Sequence, residues 1–440
     1  MKSRQTVIII GGGLAGCEAA FQLARRGVAV RLHEMRPSRP TPAHRTDRLA
    51  ELVCSNSLKS EVLPSAPALL KREMEALGSL LLRIAKETSV PAGSALAVDR
   101  DLFAARATEA IEGEPLIEIV RAEVLAVPRG EPAIVATGPL TSDALAEDLV
   151  RLVGEKRLFF YDAIAPVVSD ESVDREIAFA ASRYGKGGED YLNVPFTREA
   201  YEAFVDSILE ADLYPLHDFE ENLFFEACLP IEEIARRGRD SLRFGPMKPV
   251  GLVDPRSGGR PYAALQLRKE NREGTAWNLV GCQTRMRRGE QQRVFRSLPG
   301  LADAEFLRFG SLHRNTYLAA PRVLGPGLAL RAEPTVRLAG QITGVEGYVE
   351  SIAMGLVAAI ETARALEERP PALWPRETAI GSLLRYLAES DSDGFQPTNI
   401  HFGLFPPLET RVRSKKERHE GICRRAEEAL ARSGLVDRTA

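Results

Sequence analysis

The spacing of apolar positions changes along this chain, and the changes lay out its elements. Residues 6–10 (Thr-Val-Ile-Ile-Ile) form a continuous apolar run of strand length, the pattern of a parallel strand buried on both faces. A glycine-rich turn and an alanine-rich helix to about Arg26 follow, and Gly27 stands where a glycine closes such a helix. Residues 28–34 predict a second strand, and Pro37, Pro40 and Pro42 then mark a loop. Over 66–87, Leu69, Leu70, Met74, Leu77, Leu80, Leu81 and Ile84 recur at helical spacing. Asp99 or Asp101 is placed to cap another helix through Ile111. Strand-like stretches cover 116–127 and 132–137, the second ending in Ala136-Thr137-Gly138-Pro139. Residues 335–340 predict a further buried strand. Gly340, Gly344 and Gly347 then lead into a helix over 348–366, and a basic helix is predicted over 411–432.

The first strand and helix enclose Gly11-Gly12-Gly13-Leu14-Ala15-Gly16, a G-x-G-x-x-G turn, and Glu34 ends the next strand at about the usual ~20 residues on. Gly11 permits the tight turn, Gly13 lets the backbone approach a pyrophosphate, and Gly16 lets the helix pack closely on the strand. The helix N-terminus offers unpaired N–H groups and partial positive charge to phosphates. Glu34 is placed to accept hydrogen bonds from adenosine ribose hydroxyls. The dinucleotide is read as FAD rather than NAD. The motif lies at the extreme N-terminus, the sheet is completed only after a long insertion, and the glycine-rich segment Gly340, Gln341, Gly344, Val345, Gly347 and Tyr348 brings a second helix N-terminus towards the flavin end. That arrangement is like the glutathione-reductase type, an analogy of fold. The expected architecture is α/β: a Rossmann-type FAD-binding domain with a large α/β insertion. Its parts are 1–160 and 326–440 for the FAD domain and 161–325 for the insertion.

Composition adds bounds. Of 440 residues, 44% are hydrophobic and 27% charged, an ordinary globular balance. The net charge of -3 gives bulk support to neither nucleic-acid nor membrane binding. It conceals opposed blocks: acids dominate 143–233, and bases dominate 236–296, with Arg285, Arg287 and Arg288 among them. Either the blocks neutralise one another across one domain, or the basic one meets phosphates. The five cysteines (Cys17, Cys54, Cys228, Cys282, Cys423) are scattered, without a C-x-x-C, so neither a disulfide framework nor a metal site is suggested, and a reducing cytoplasm fits. No apolar run approaches the ~20 residues of a membrane span. Lys2 and Arg4 before 7–10 mimic a signal peptide until the glycines break the pattern.

The stretch 11–20, Gly-Gly-Gly-Leu-Ala-Gly-Cys-Glu-Ala-Ala, resembles the flavoproteins that modify transfer RNA, the GidA/MnmG and TrmFO families. The chain is too short for the additional C-terminal helical domain of MnmG. Leu52-Val53-Cys54-Ser55-Asn56-Ser57-Leu58, Phe224-Phe225-Glu226-Ala227-Cys228-Leu229-Pro230 and Phe244-Gly245-Pro246-Met247-Lys248-Pro249-Val250-Gly251-Leu252 resemble TrmFO, as do Gln283-Thr284, His313-Arg314-Asn315-Thr316, the 340–348 segment and Phe402-Gly403-Leu404-Phe405-Pro406-Pro407. Cys282 and His401 depart from the family pattern. The resemblance implies methylation of C5 of a T-loop uridine in tRNA. Methylenetetrahydrofolate would be the carbon donor, and FAD reduced by NADPH or NADH the hydride source. It implies tRNA and folate as partners, with no membrane and no protein partner inferred.

Uracil C5 is a poor nucleophile until a thiolate adds at C6, which makes a reactive cysteine necessary. Cys228 and Cys54 are the candidates. Ser55, Asn56 and Ser57 suggest a helix N-cap beside Cys54, which would favour its thiolate. Glu226, Glu232 and Glu233 disfavour that of Cys228 unless bases arrive from elsewhere. The resemblance implies instead that Cys228 attacks uracil while Cys54 lies near the flavin and the folate-derived carbon. Cys17 and Cys282 are read as packing. Tyr262, Trp277 and His313 are candidates to stack on a base. Two other readings stay open: an FAD-dependent oxidoreductase of a small molecule, and an RNA-binding protein keeping FAD as a relic. An MnmG-like modification of a wobble uridine is the alternative within the same flavoproteins.

Overall fold

The buried run after the N-terminus becomes the middle of a parallel sheet. Strand Val7–Ile10 pairs with Val30–His33 on one side and Ala133–Val135 on the other. Ile117–Val120 and Val336–Leu338 complete the five strands, all pairs parallel. The strand that closes the sheet thus returns from beyond residue 330, after the whole insertion. The computed structural model describes residues 5–41, 43–155, 158–185, 188–214, 229–392, 395–410 and 412–436, with the backbone alone at 158–162 and 312–315.

Helix Leu14–Ala24 follows the first strand, and Gly27 takes a positive φ of 75° just beyond it. The long helix Tyr348–Leu366 has the predicted bounds and packs against the first at backbone distance: a Cβ on Gly355 would strike the Ala15 carbonyl. The periodic stretch 66–87 is two helices, Ala66–Ala76 and Leu80–Glu87. Gly78 turns left-handed (φ 74°), and Ser79 caps the second by accepting from Leu82 N at 3.3 Å. Asp99, not Asp101, caps helix Arg100–Glu112, accepting from Leu102 N at 2.9 Å. The expected strand over 116–127 stops at Val120, where Ala122 N turns back to donate to the Val120 carbonyl. The C-terminal helix is Lys415–Arg432, capped by Ser414; Arg411 falls outside the described residues.

Between these parts lies a second layer with its own apolar core. Phe179–Ala180, Tyr191–Phe196, Ala263–Lys269, Ala276–Leu279, Val167–Ser169 and Phe306–Arg308 form an antiparallel sheet in that order. Phe196, Tyr201, Phe204, Trp277 and Phe295 pack beneath it. Strands Leu158–Ile164 and Ser311–Tyr317 pair antiparallel, one leading into this layer and the other out of it. Trp277 is 2% exposed and donates to Asp170, so it is core rather than a stacking platform. The Tyr262 ring meets the Tyr201 ring edge-on at 5.5 Å and has the Arg243 guanidinium 4.1 Å from its centre, and the His313 side chain is outside the described set. The opposed charge blocks do meet. Arg239 pairs with Asp206, Arg287 with Asp212 at 2.8 Å, and Arg285 with Glu233 at 2.7 Å.

Buried carboxylates tie helix ends to neighbouring helices. Glu73 accepts from Ala379 N (2.6 Å) and Ile380 N (2.9 Å) at the start of helix Ala379–Glu389. Burial raises its carboxyl to about 8, although both amides work in the other direction. The folded state therefore binds a proton more tightly than the unfolded chain. The associated stability is full below about 4.5 and is lost as pH rises through about 8. Glu73→Gln is expected to keep the cap and remove that pH dependence. Glu73→Ala should cost about 2 kcal/mol or more by leaving two amides unpaired. Urea unfolding of the three proteins at pH 5 and pH 8 checks both outcomes.

Candidate functional site: a dinucleotide cleft beside an arginine-bound cysteine

The glycine loop lies on the wall of a cleft. Gly11, Gly13, Leu14, Ala15 and Glu34 line one part, and Gly340, Gln341, Tyr348 and Ser351 line another. The three loop glycines differ physically. Gly11 has φ 107°, and a Cβ there would come 2.6 Å from the Ala136 carbonyl oxygen. A Cβ on Gly16 would strike the Gly11 carbonyl. A Cβ on Gly13 meets nothing within 4 Å, so it would project into open space in the cleft. Gly13 is also the N-cap of helix Leu14–Ala24, with no side chain capping that end, so the first amides are free to bind an anion.

Glu34 is 6% exposed. Its Oε2 accepts from Gly12 N at 2.9 Å, and its Oε1 from the Arg36 amide and Nε, each at 2.9 Å. Burial works to raise its carboxyl, but Arg36 and the Gly12 amide outweigh burial and hold it below the ordinary carboxylate range. A carboxylate has acceptor sites to spare after these bonds, so Glu34 can still take ribose hydroxyls from the cleft side. Open space at Gly13, an uncapped helix start and an ionised Glu34 on one cleft wall fit the adenosine and pyrophosphate of FAD.

The remaining expected residues shape the cleft without lining it. Gly12 holds Glu34. Gly344 (φ 90°) sits against the Phe395 ring, Val345 is fully buried, and Gly347 (φ 113°) precedes helix Tyr348–Leu366, where its missing Cβ leaves room for Glu350 and Lys59. Sequence reading missed Arg36, Thr41, His44 and the turn Thr137–Thr141, all of which line the cleft. The Ala136-Thr137-Gly138 turn after a buried strand was the available signal. Glu18, in the motif that carried the resemblance, accepts from Ser79 Oγ and from Leu80 and Leu81 N, and so caps a helix.

Cys54 adjoins this cleft. Its amide donates to the Tyr348 hydroxyl at 2.7 Å, and its Sγ lies 4.0 Å from the Ala163 carbonyl. It is not at a helix start: Ser57–Ser60 is a strand. The reason is Asn56, fully buried, whose side chain donates to Val98 O (2.9 Å) and Lys269 O (2.8 Å) and accepts from Arg268 Nε (2.8 Å). An asparagine spent on bridging two layers cannot cap a helix. Two arginines hold the Cys54 backbone instead. Arg100 and Arg308 both donate to the Cys54 carbonyl at 3.2 Å.

Cys228 lies outside the described residues. Just beyond it, Ile231 N donates to Gln283 O at 2.7 Å, and Thr284 N to Ile164 O at 3.4 Å, next to the Ala163 carbonyl that faces Cys54. Two of the acids near Cys228 are already engaged: Glu232 binds Thr284 Oγ1 and Arg285 N, and Glu233 pairs with Arg236 and Arg285. Cys17 and Cys282 are fully buried, as packing cysteines should be; burial pushes the Cys17 thiol up to about 12 and that of Cys282 further still. Cys423 is 4% exposed, its thiol pushed up by burial to about 11. Among the described residues no helix is long and apolar enough to cross a membrane.

Residues 6–370 match the family model described as glucose inhibited division protein A. The chain is 56% identical to methylenetetrahydrofolate–tRNA-(uracil-5-)-methyltransferase TrmFO of Pelotomaculum thermopropionicum, across 97% of this chain and 98% of that protein. It is 58% identical to the TrmFO of Solibacter usitatus, across 96% and 97%. In fold it is similar to GidA of Aquifex aeolicus, with a TM-score of 0.69 at 16% identity, over all of this chain and 75% of that one. A sequence match of this extent, on a structure with a GidA-like fold, shows that the chain belongs to the TrmFO family of GidA-type proteins.

Proposed function

We propose that the protein is a folate-dependent tRNA (uracil-5-)-methyltransferase, placing the methyl group on a T-loop uridine. The observation that carries the reading is a cysteine, Cys54, hydrogen-bonded to Tyr348 on the wall of a dinucleotide cleft, in a chain more than half identical to proteins named for that reaction. FAD, when bound, would supply the hydride that reduces the transferred carbon, itself recharged from NADPH or NADH.

The protein's own residues have three tasks. Gly13 and the helix start hold the pyrophosphate, and Glu34 the ribose. Cys228 adds to C6 of uracil, turning C5 into an enolate carbon able to attack a one-carbon electrophile. The C5 proton is lost and the thiolate expelled once the new C–C bond is made, and the carbon's bond to the folate nitrogen would break as hydride completes the methyl group, releasing tetrahydrofolate. Cys54, beside Tyr348, lies where the folate-derived carbon arrives. The 161–325 insertion offers the RNA surface, with the FAD domain built from the parts on either side. The target base must leave its stack to reach these groups. A cytoplasmic site of action suits the substrate and the free cysteines.

The test is oxidation of NADPH. In this reading it proceeds in step with 5-methyluridine formation and requires both unmodified tRNA and methylenetetrahydrofolate. Rapid oxidation without tRNA, with a small-molecule acceptor alone, would favour a plain oxidoreductase.

Electrostatics gives a smaller prediction. Arg285 and Arg287 already hold acidic partners, whereas Arg288 is exposed, its guanidinium 5.7 Å from the Phe309 ring. Arg288→Glu is therefore expected to weaken tRNA binding and flatten its log–log salt slope by about 1–2, as each neutralised phosphate contributes about 0.9. Arg285→Glu should act on stability instead, since it places two carboxylates together in a site where Arg285 is 12% exposed. Filter binding at several salt concentrations, beside thermal melts, separates the two.

A further inference from the structure

Cys54 is held by a cluster spread across both layers of the molecule. Arg100 starts a helix of the parallel-sheet layer, and Arg268, Glu270 and Arg308 lie in or beside the antiparallel sheet. Arg100 donates through Nε to Glu270 Oε2 at 3.0 Å, and its NH2 stands 2.9 Å from the same oxygen. That NH2 also donates to the Cys54 carbonyl, and NH1 donates to the Leu52 carbonyl. Arg308 donates to the Cys54 carbonyl from the other layer. Cys54 is thus fixed on its carbonyl side by two guanidinium groups and on its amide side by Tyr348.

The charges do not balance. Three arginines face one carboxylate, and both Glu270 (7% exposed) and Arg268 (8%) are buried. Burial, then the nearby Arg100, brings the Arg308 guanidinium down to about 10. Opposing its own burial, Glu270 is kept ionised by Arg100, Arg308 and Arg268. One oxygen of Glu270, Oε1, and the Nε of Arg308 are buried with no hydrogen-bond partner. Such a cluster is expensive to assemble, because every ion in it is desolvated and the pairing is incomplete. Its geometry converges on one backbone group, the Cys54 carbonyl.

We propose that Glu270 is a positioning residue for Cys54: it orients Arg100 so that the Arg100–Arg308 pair clamps the Cys54 carbonyl and fixes the thiol at the edge of the dinucleotide cleft. Without the carboxylate, Arg100 and Arg308 repel one another across that carbonyl and the clamp opens. This rests on the methyltransferase reading only for the part of the test that measures catalysis.

The test is Glu270→Gln, which keeps the shape and removes the charge, beside Glu270→Asp, which keeps the charge. In the flavin-loaded full-length proteins, Glu270→Gln is expected to lower kcat per bound flavin by about 100-fold, the scale of an ångström-size misplacement of a reacting group. KM for tRNA and flavin content should stay near wild type, and Glu270→Asp should recover much of the rate. A purely structural role would lower flavin content and leave kcat per flavin intact, which would overturn the proposal. Hydrogen exchange needs no substrate. The Cys54 amide should exchange at least tenfold faster in Glu270→Gln, with the amides of the Gly11–Gly16 loop unchanged; equal exchange at Cys54 would also overturn it. If wild-type protein methylates no tRNA, the functional reading fails, and exchange at Cys54 alone decides the clamp.

Discussion

A Gly13→Val protein is expected to fold and to purify without flavin. Gly13 has φ -80° and ψ -168°, extended backbone open to any residue, and the position of its missing Cβ is empty to 4 Å. The first atom of the new side chain therefore meets nothing in the protein. It occupies the space between the uncapped helix start and whatever that helix holds. Affinity for the dinucleotide should fall by about 100-fold or more, equivalent to about 2.7 kcal/mol. The visible flavin absorbance of the purified protein should be lost, and melting should match that of wild type stripped of flavin. Gly11 and Gly16 would not give this answer, because side chains there collide with carbonyls of the protein itself and damage the fold. Full flavin absorbance in Gly13→Val would remove the cleft as the cofactor site.

The second large effect concerns the nucleophile. Cys228→Ala is expected to abolish the covalent complex with tRNA carrying 5-fluorouracil, because fluorine at C5 cannot leave as a proton does and traps the thiol on C6. Flavin content should be unaffected. The acids that argued against a thiolate at Cys228 are partly accounted for, since Glu232 and Glu233 are committed to Thr284, Arg285 and Arg236. Cys54→Ala should still form the trapped complex but fail to methylate, as its hydrogen bond to Tyr348 sets it on the cleft side. Denaturing electrophoresis of the two variants with modified tRNA decides it. A complex retained by Cys228→Ala and lost by Cys54→Ala would exchange the two roles.

The cofactor half of the site was legible in the sequence because its requirements fall on neighbouring residues. A turn, a close approach and a helix–strand contact each demand a glycine within six positions, and Glu34 follows one strand later. The arginine cluster was not legible. Arg100, Arg268, Glu270 and Arg308 span more than two hundred positions and meet only because a second layer folds against the first. The same layering explains the misreading of Ser55-Asn56-Ser57, where a buried Asn56 bridges Val98 and Lys269 and the chain continues as a strand. Periodicity showed helical spacing over 66–87 but not the break at Gly78, because the apolar spacing continues across it while the backbone there turns left-handed. Charge counting identified two opposed blocks but could not tell that Arg285, Arg287 and Arg239 reach back to the acidic one.

The central claim is that a folate-borne carbon reaches uracil C5 in tRNA through this protein. Flavin-loaded protein, NADPH and unmodified tRNA would be incubated with methylenetetrahydrofolate labelled in its one-carbon unit, and the nucleosides then separated. The account predicts label in 5-methyluridine from the T-loop, with none when S-adenosylmethionine carries the label instead. Label in a wobble uridine, or no label in any nucleoside from protein that holds its flavin, would contradict it.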